Sequence, residues 1–169
     1  MQGLWSRVLA GEANSPGTYS KRTVNFLSDL DKTDAELFTR LCGFAWVIGN
    51  VVPLIYDVKN DIYNSQGISF NTLSHLDSIG LIQFNSLTGF QRLKLPNTFY
   101  VLYYGTPIKL ELSKESDNSM DIGKVMLTKI GQELAPICGS NPVEGFLDYI
   151  REEWKKLKYF KEEEPKQAV

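Results

Sequence analysis

Residues 67–82 read Gly-Ile-Ser-Phe-Asn-Thr-Leu-Ser-His-Leu-Asp-Ser-Ile-Gly-Leu-Ile, and this stretch decides the fold. The spacing of Leu73 and Leu76 predicts a helix over 71–79 with one apolar side. Gly80 supplies the backbone conformation that commonly ends a helix. An apolar β-type segment follows at once. This order of helix, glycine and strand is typical of a helix-turn-helix module.

The residues after this stretch indicate a small antiparallel sheet and a closing helix. β-type segments lie at 81–84, 90–95, 99–104, 108–112 and 125–127, and 105–107 reads as a hairpin turn. Residues 113–121 are polar and are predicted to form a mobile loop. A helix is predicted over 128–135, where Pro136 ends it. Together these elements predict a winged-helix-like module over 67–137.

Helices are predicted on both sides of this module. A helix over 2–11 should pack its apolar residues against a central helix over 33–48. Thr33 and Glu36 have the spacing of a capping box that starts the central helix. The apolar residues of the opening helix are Leu4, Trp5, Val8 and Leu9.

The last predicted helix, over 141–160, begins at Asn141-Pro142, because proline is favoured at the first helical position. We therefore predict one α+β domain over 1–160, in which an N-terminal helical layer (1–50) packs on the winged-helix-like module and the long C-terminal helix closes it. Residues 161–169 are predicted to be a disordered tail.

Composition argues against several classes of protein. The formal net charge is −2, so no bulk attraction to DNA, RNA or acidic lipid is expected. The two cysteines, Cys42 and Cys138, lie in apolar runs and read as buried thiols in a reducing compartment. No signal peptide opens the chain, and the longest apolar stretch, 44–55, is interrupted by glycine, asparagine and proline. We expect a soluble, cytoplasmic protein without membrane contact.

The sequence contains no motif that predicts catalysis. His75 is the only histidine, and neither cysteine has metal-ligand spacing with it. No glycine-rich phosphate loop is present. Asp34 and Glu36 are best explained by the first turn of a helix, where carboxylates complement the helix dipole. We expect no enzyme activity, no cofactor and no metal.

A winged helix could bind nucleic acid through the helix at 71–79. The candidate residues for this are Asn71, Ser74, His75, Ser78, Arg92 and Lys94. However, the helix has no lysine or arginine, and Asp77 would repel phosphate. Residues 62–135 contain six basic and six acidic residues, so this part of the chain has no net charge. Because affinity for DNA comes largely from phosphate neutralisation, nucleic-acid binding is the weaker alternative.

Surplus apolar surface favours contacts with protein. The segment 99–104 is apolar on both faces, which indicates that both faces are covered by the N-terminal helices or by a second subunit. The C-terminal helix carries an apolar stripe, which could likewise be covered by the rest of the chain or by a second subunit. The candidate interface residues are Tyr100, Tyr103, Tyr104, Trp154 and Leu157. A protein partner or self-association, with a possible homodimer, is therefore expected.

The first half of the chain resembles a bacterial family of unknown function. The segments Gly3-Leu-Trp-Ser-Arg-Val-Leu-Ala-Gly-Glu12, Pro16-Gly-Thr-Tyr-Ser-Lys-Arg-Thr23 and Leu30-Asp-Lys-Thr-Asp-Ala-Glu-Leu-Phe38 are similar to domain-of-unknown-function family 2806, and the likeness continues through 75–82. In that family the first segment lies behind a longer N-terminal region, which implies that this chain is part of a longer protein. The first segment also resembles abortive-infection alpha proteins, which are linked to phage defence.

Neither family supplies catalytic residues. The leading hypothesis is a non-enzymatic interaction or scaffold domain that acts through protein contacts and self-association. The alternative is a winged-helix nucleic-acid-binding protein, as the resemblance to phage-defence proteins would allow.

Overall fold

The computed structural model describes residues 2–160. The helices are α1 (Gln2–Asn14), α2 (Lys21–Asp29), α3 (Lys32–Cys42), α4 (Asp61–Asn64), α5 (Phe70–Ser78), α6 (Lys129–Leu134) and α7 (Phe146–Lys156). The strands are β1 (Ala45–Ile48), β2 (Asn50–Pro53), β3 (Ile82–Phe84), β4 (Gln91–Leu95), β5 (Thr98–Tyr103), β6 (Thr106–Glu111), β7 (Asn118–Asp121) and β8 (Val125–Leu127). A 3-10 helix at Ala135–Ile137 follows α6. The predicted α+β class is confirmed.

Residues 82–127 form three antiparallel strand pairs, nested one inside the next. The outermost pair is β3 with β8, the middle pair is β4 with β7, and the innermost is the β5–β6 hairpin. Tyr104 and Gly105 turn this hairpin, and both have a positive φ, at 45° and 81°. Two positive φ angles in a two-residue turn match the twist of the strands on either side.

The innermost hairpin joins the β1–β2 hairpin to form a four-stranded antiparallel sheet. Its strand order is β2-β1-β5-β6, and the register between β1 and β5 places Val47 opposite Leu102. This sheet therefore combines strands from before and after α5. A parallel bridge between Ile55 and Gly123 ties the end of the first hairpin to the strand pairs of the second half.

Helix α5 and the glycine after it lie where the sequence predicts them. Ser69 caps the helix and forms a capping box with Thr72, and Gly80 has a φ of +91°. Strand β3 follows, and β8 leads into α6. The four strands between β3 and β8 are divided between two other sheets, one of which includes β1 and β2. The winged-helix assignment therefore remains an interpretation. It rests on the order of the elements alone, with β3 directly after α5 and α6 directly after β8.

Aromatic side chains fill the space between α7 and the inner face of the four-stranded sheet. The Trp154 ring lies edge-on to Trp46 at 4.8 Å between centroids, and Trp46 stacks on Tyr103 at 4.9 Å. Phe146, in the first turn of α7, meets Phe44 at 4.9 Å. One continuous cluster of buried apolar residues runs from α1 to α7. No helix in residues 2–160 is long and apolar enough to cross a bilayer.

The central helix predicted over 33–48 is wrong in its second half. Helix α3 ends at Cys42, and β1 occupies 45–48. Trp46 and Ile48 point into the core while Val47 is exposed, which is the two-residue period of a strand. A nearly continuous apolar run does not distinguish the two-residue period of a strand from the 3.6-residue period of a helix. The capping box is also wrong, because Asp31 precedes the helix and makes no side-chain cap hydrogen bond.

Three other predictions are corrected by the structure. The supposed loop at 113–121 contains β7, which pairs with β4. Helix α7 begins at Phe146 rather than at Pro142, because Gly145 precedes it with a φ of 76°. Helix α1 extends to Asn14 and buries Val8, but Leu9 is 56% exposed. The tail predicted over 161–169 lies outside the described residues.

Candidate functional site

The outer face of strand β5 is apolar and open. Because side chains alternate along a strand, Val101 and Tyr103 point into the core and their neighbours point outward. Tyr100 is 66% exposed and Leu102 39%, and Tyr104, in the turn that follows β5, is 42% exposed. Within the described residues the N-terminal helices do not cover this outer face, so of the two predicted coverings only a second subunit stays a prediction.

Strand β1 extends this open surface sideways. Val47 lies opposite Leu102 in the register and is 41% exposed. On its other side Val47 lies opposite Val51 of β2, which is half-buried. We define the apolar face as Val47, Tyr100, Leu102 and Tyr104. Contiguous exposed apolar patches of this kind mark interaction sites in soluble proteins.

The β2 edge of the sheet is closed to further strands. The Gln132 side chain of α6 accepts a hydrogen bond from the Val51 N–H at 3.2 Å and donates one to the Val51 carbonyl at 2.7 Å. Gln132 thereby occupies the groups with which another strand would pair. Pro53 adds a residue without an N–H on the same edge.

The β6 edge is protected as well. Pro107 and Lys109 lie on it, and proline and lysine are residues that proteins use to prevent edge pairing. The Glu111 N–H donates to the carbonyl of Tyr159 at 3.0 Å. Both edges being protected, the sheet is available for contact through its face rather than by strand addition.

A cavity of about 410 Å³ borders the apolar face. It is lined by Leu102 and Tyr104 and, from the segment after α6, by Ala135, Pro136, Gly139 and Ser140. The remaining lining residues are Cys42, Ala45, Val47, Val51 and Gly105. The Tyr104 hydroxyl donates to the Cys42 carbonyl at 3.1 Å and lies 2.6 Å from the Ser140 Oγ, so this ring is held in place at the rim.

Three of the five predicted interface residues are exposed, and two are buried. Tyr100, Tyr104 and Leu157 are exposed, and the first two lie on the apolar face. Tyr103 and Trp154 are buried in the core, which corrects their assignment as interface residues. The Tyr103 hydroxyl donates to the Gly43 carbonyl at 2.7 Å, which shows its structural role.

The predicted nucleic-acid residues on α5 lie on a partly covered helix. Asn71 and Ser78 are exposed, and Ser74 is half-buried. His75 is exposed, but its Nε2 lies 2.7 Å from the Asp34 Oδ1 of α3. This carboxylate would meet the phosphates of any duplex that approached His75.

The two predicted cations lie away from α5, on the β4–β7 pair. Lys94 is exposed and has a φ of 57°. Arg92 is half-buried, and its Nε and one terminal nitrogen are buried without a hydrogen-bond partner. Only part of the Arg92 charge is therefore available to a ligand.

We expect no sequence-specific DNA binding by this chain, because α5 presents no lysine or arginine and its histidine is paired with a carboxylate. Titration with genomic and random-sequence DNA at low salt measures this, and binding weaker than micromolar is the expected result. Sub-micromolar binding with a steep dependence on salt would contradict it.

The two cysteines differ in burial. Cys42 is buried as predicted, but Cys138 is only half-buried, and its thiol donates to the Ala135 carbonyl at 3.2 Å. Among residues 2–160, no group of three or more histidine, cysteine, aspartate or glutamate side chains is placed to hold a metal ion.

Comparison with known proteins identifies a family. Residues 1–151 match the family described as protein of unknown function (DUF2806), which confirms the resemblance seen in the opening segments. No curated protein and no solved structure matches the chain.

Proposed function

The chain belongs to the DUF2806 family, and from this premise and the geometry of its sheet we propose that it is a non-enzymatic interaction domain whose apolar face binds a second copy of the same chain. The observation that carries the proposal is the apolar face itself. Val47, Tyr100, Leu102 and Tyr104 are all more than one-third exposed on one side of one sheet. Their burial would be favourable in proportion to the area removed from water.

The residue types on this face suit a protein interface. Tyrosine is enriched at the centres of interfaces, because its ring supplies apolar area and its hydroxyl tolerates partial solvation. Two of the four residues of the apolar face are tyrosines. The Tyr104 ring is already held by its hydroxyl contacts to Cys42 and Ser140, so little conformational freedom remains to be lost on binding.

The charges beside the face favour a second copy as the partner. Lys109 and Glu111 lie on β6 and form an ion pair at 2.8 Å on the outward side of the strand. Lys109 is directly opposite Tyr100 in the register. Because each copy carries a lysine and a glutamate side by side, a two-fold interface at this face can set the lysine of one copy against the glutamate of the other. The rim is thus self-complementary.

The protected edges are consistent with this arrangement. Gln132 covers β2, and Pro107 and Lys109 lie on β6, so pairing of strands between copies is disfavoured. Face-to-face packing is the geometry that remains. The two free cysteines are consistent with the reducing cytoplasm in which we propose that the domain works.

Substitution on the apolar face tests the proposal. We expect Tyr100→Glu to weaken self-association by about 2 kcal/mol or more, because a tyrosine within an interface contributes strongly and a carboxylate in its place would lose the apolar contact and be desolvated on binding. Sedimentation velocity over a range of concentrations measures the change. Since Tyr100 is exposed, circular dichroism should show an unchanged fold.

Leu87→Glu is the matched control, because Leu87 is 90% exposed and lies on the loop before β4, outside the apolar face. It should associate as the wild-type protein does. Equal weakening in both variants would mean that added negative charge, rather than the apolar face, controls association. No change in Tyr100→Glu would remove this face as the interface.

A further inference from the structure

The cavity beside the apolar face is built by two distant parts of one chain. The outward side of the sheet contributes Ala45 and Val47 from β1, Val51 from β2 and Leu102 from β5. The segment after α6 contributes Ala135, Pro136, Gly139 and Ser140. At about 410 Å³ the cavity lies within the size range of small-molecule sites. Because one chain supplies this lining, a ligand could occupy the cavity without a second copy.

Hydrogen bonds hold the two parts of the lining in place. On one side, the Gln132 side chain of α6 binds both backbone groups of Val51, at 3.2 Å and 2.7 Å. On the other, the Tyr104 hydroxyl donates to the Cys42 carbonyl and lies 2.6 Å from the Ser140 Oγ. The segment after α6 is thus fixed against the sheet at two points. A ligand would meet a cavity that is already formed, which reduces the conformational entropy lost on binding.

The lining favours a ligand without charge. Among the lining residues that the structure describes, there is no lysine, arginine, histidine, aspartate or glutamate, and most are aliphatic. Moving a charged group from water into such surroundings costs free energy that no partner there would offset. An apolar molecule gains free energy in proportion to the area that it removes from water.

Two hydroxyls give the lining a polar point. Tyr104 and Ser140 both line the cavity, and their oxygens are 2.6 Å apart. The Tyr104 proton is engaged with the Cys42 carbonyl, so the Ser140 hydroxyl is the donor to Tyr104 in this arrangement. A serine oxygen has two acceptor lone pairs, which leaves the Ser140 Oγ able to accept from a ligand. The matching group on the ligand is an N–H or an O–H.

We propose that this cavity binds a small, uncharged, mainly apolar molecule, the size of one or two fused rings, which donates one hydrogen bond to the Ser140 Oγ. The preformed shape, the uncharged lining and the acceptor at its edge carry the proposal. It assigns a ligand site within a single chain, and it does not rest on the self-association of the apolar face.

Three probes that share one ring system test the chemistry of the site. Indole carries an N–H donor, N-methylindole lacks it, and indolecarboxylate adds a negative charge. Each is titrated into the full chain, labelled for amide NMR, at a concentration where sedimentation shows a single chain. We expect indole to cause saturable shifts in the amides of 102–105 and 135–140. N-methylindole should bind roughly three- to tenfold more weakly, the worth of one hydrogen bond, and indolecarboxylate should also bind more weakly than indole.

Ser140→Ala tests the assigned acceptor. It should remove the difference in affinity between indole and N-methylindole while both continue to bind, because the apolar lining is unchanged. A preference for indole that survives in Ser140→Ala would overturn the role of Ser140. Absence of saturable shifts with indole in the wild-type chain, or shifts that map away from the cavity, would overturn the site itself.

Ala45→Leu tests the location by filling the cavity. The Ala45 side chain lines the open space, so the larger side chain should occupy the volume that the ring needs and weaken indole binding by at least about tenfold. Ala10→Leu is the matched control, because Ala10 is exposed on α1 and away from the cavity, and it should bind indole as the wild type does. Undiminished binding by Ala45→Leu would place indole elsewhere and contradict the proposal. The shifts in the wild-type chain decide the location even if this variant fails to fold.

Discussion

Replacing Trp154 with alanine is expected to lower the free energy of unfolding by about 3–5 kcal/mol, the range for truncating a fully buried large aromatic residue. Trp154 is completely buried, and its ring lies edge-on to Trp46. Its Nε1 donates to the Tyr56 hydroxyl at 2.9 Å, which in turn donates to the Asp121 carbonyl at 2.9 Å. The substitution therefore opens a cavity and also breaks a chain of hydrogen bonds that joins α7 to β7.

Urea denaturation followed by circular dichroism measures this effect. Leu157→Ala is the control on the same stretch of chain, because Leu157 is 40% exposed at the end of α7 and should change stability far less. A loss below about 1 kcal/mol for Trp154→Ala would show that α7 is not packed into the core as described.

Gly123→Ala is expected to be of similar severity for a different reason. Gly123 has a φ of +82°, and a Cβ there would lie 2.5 Å from the carbonyl oxygen of Ile55. A non-glycine residue in this conformation costs on the order of 1–3 kcal/mol, and overpacking against rigid backbone adds roughly 1–3 kcal/mol. The position is critical because the Lys124 N–H donates to the Ile55 carbonyl and the Phe90 N–H donates to the Gly123 carbonyl.

Gly80→Ala separates the two costs. Gly80 has a φ of +91°, but a Cβ there would meet nothing within 4 Å. It should show the conformational cost alone, so its unfolding midpoint should lie between those of the wild type and Gly123→Ala. Equal midpoints for the two variants would mean that the approach of Gly123 to Ile55 is not tight in solution.

Local patterns predicted α5, Gly80 and the β5–β6 hairpin, since each depends on neighbouring residues. Helix α5 has a three-to-four-residue apolar period, and the hairpin turn contains Gly105. The turn lies at 104–105 and not at the predicted 105–107, because Thr106 and Pro107 belong to β6. The β1–β2 hairpin was not predicted, because the apolar residues from Phe44 to Ile48 fit both the period of a helix and that of a strand. Only the pairing of Val47 with Leu102, far along the chain, shows which side of β1 faces the core.

The candidate site could be predicted only in part, because some of its residues come together only when distant parts of the chain pair. The tyrosines at 100 and 104 were recognisable as surplus apolar surface within one segment. Val47 became part of the apolar face only when β1 paired with β5. The contact of the Thr39 hydroxyl with the Cys138 carbonyl depends on the packing of the segment after α6 beside α3, which no local pattern records. Trp154 and Tyr103 were misassigned because a stripe of apolar residues does not show whether the chain itself covers it.

Sedimentation equilibrium of the unmodified chain, from low to high micromolar concentration, tests the central claim most directly. If the apolar face binds a second copy, the average mass should rise with concentration from that of one chain, 19.1 kDa, toward that of two, and it should stop there because a two-fold interface is closed. A mass that stays at 19.1 kDa at high micromolar concentration would contradict the proposed self-association.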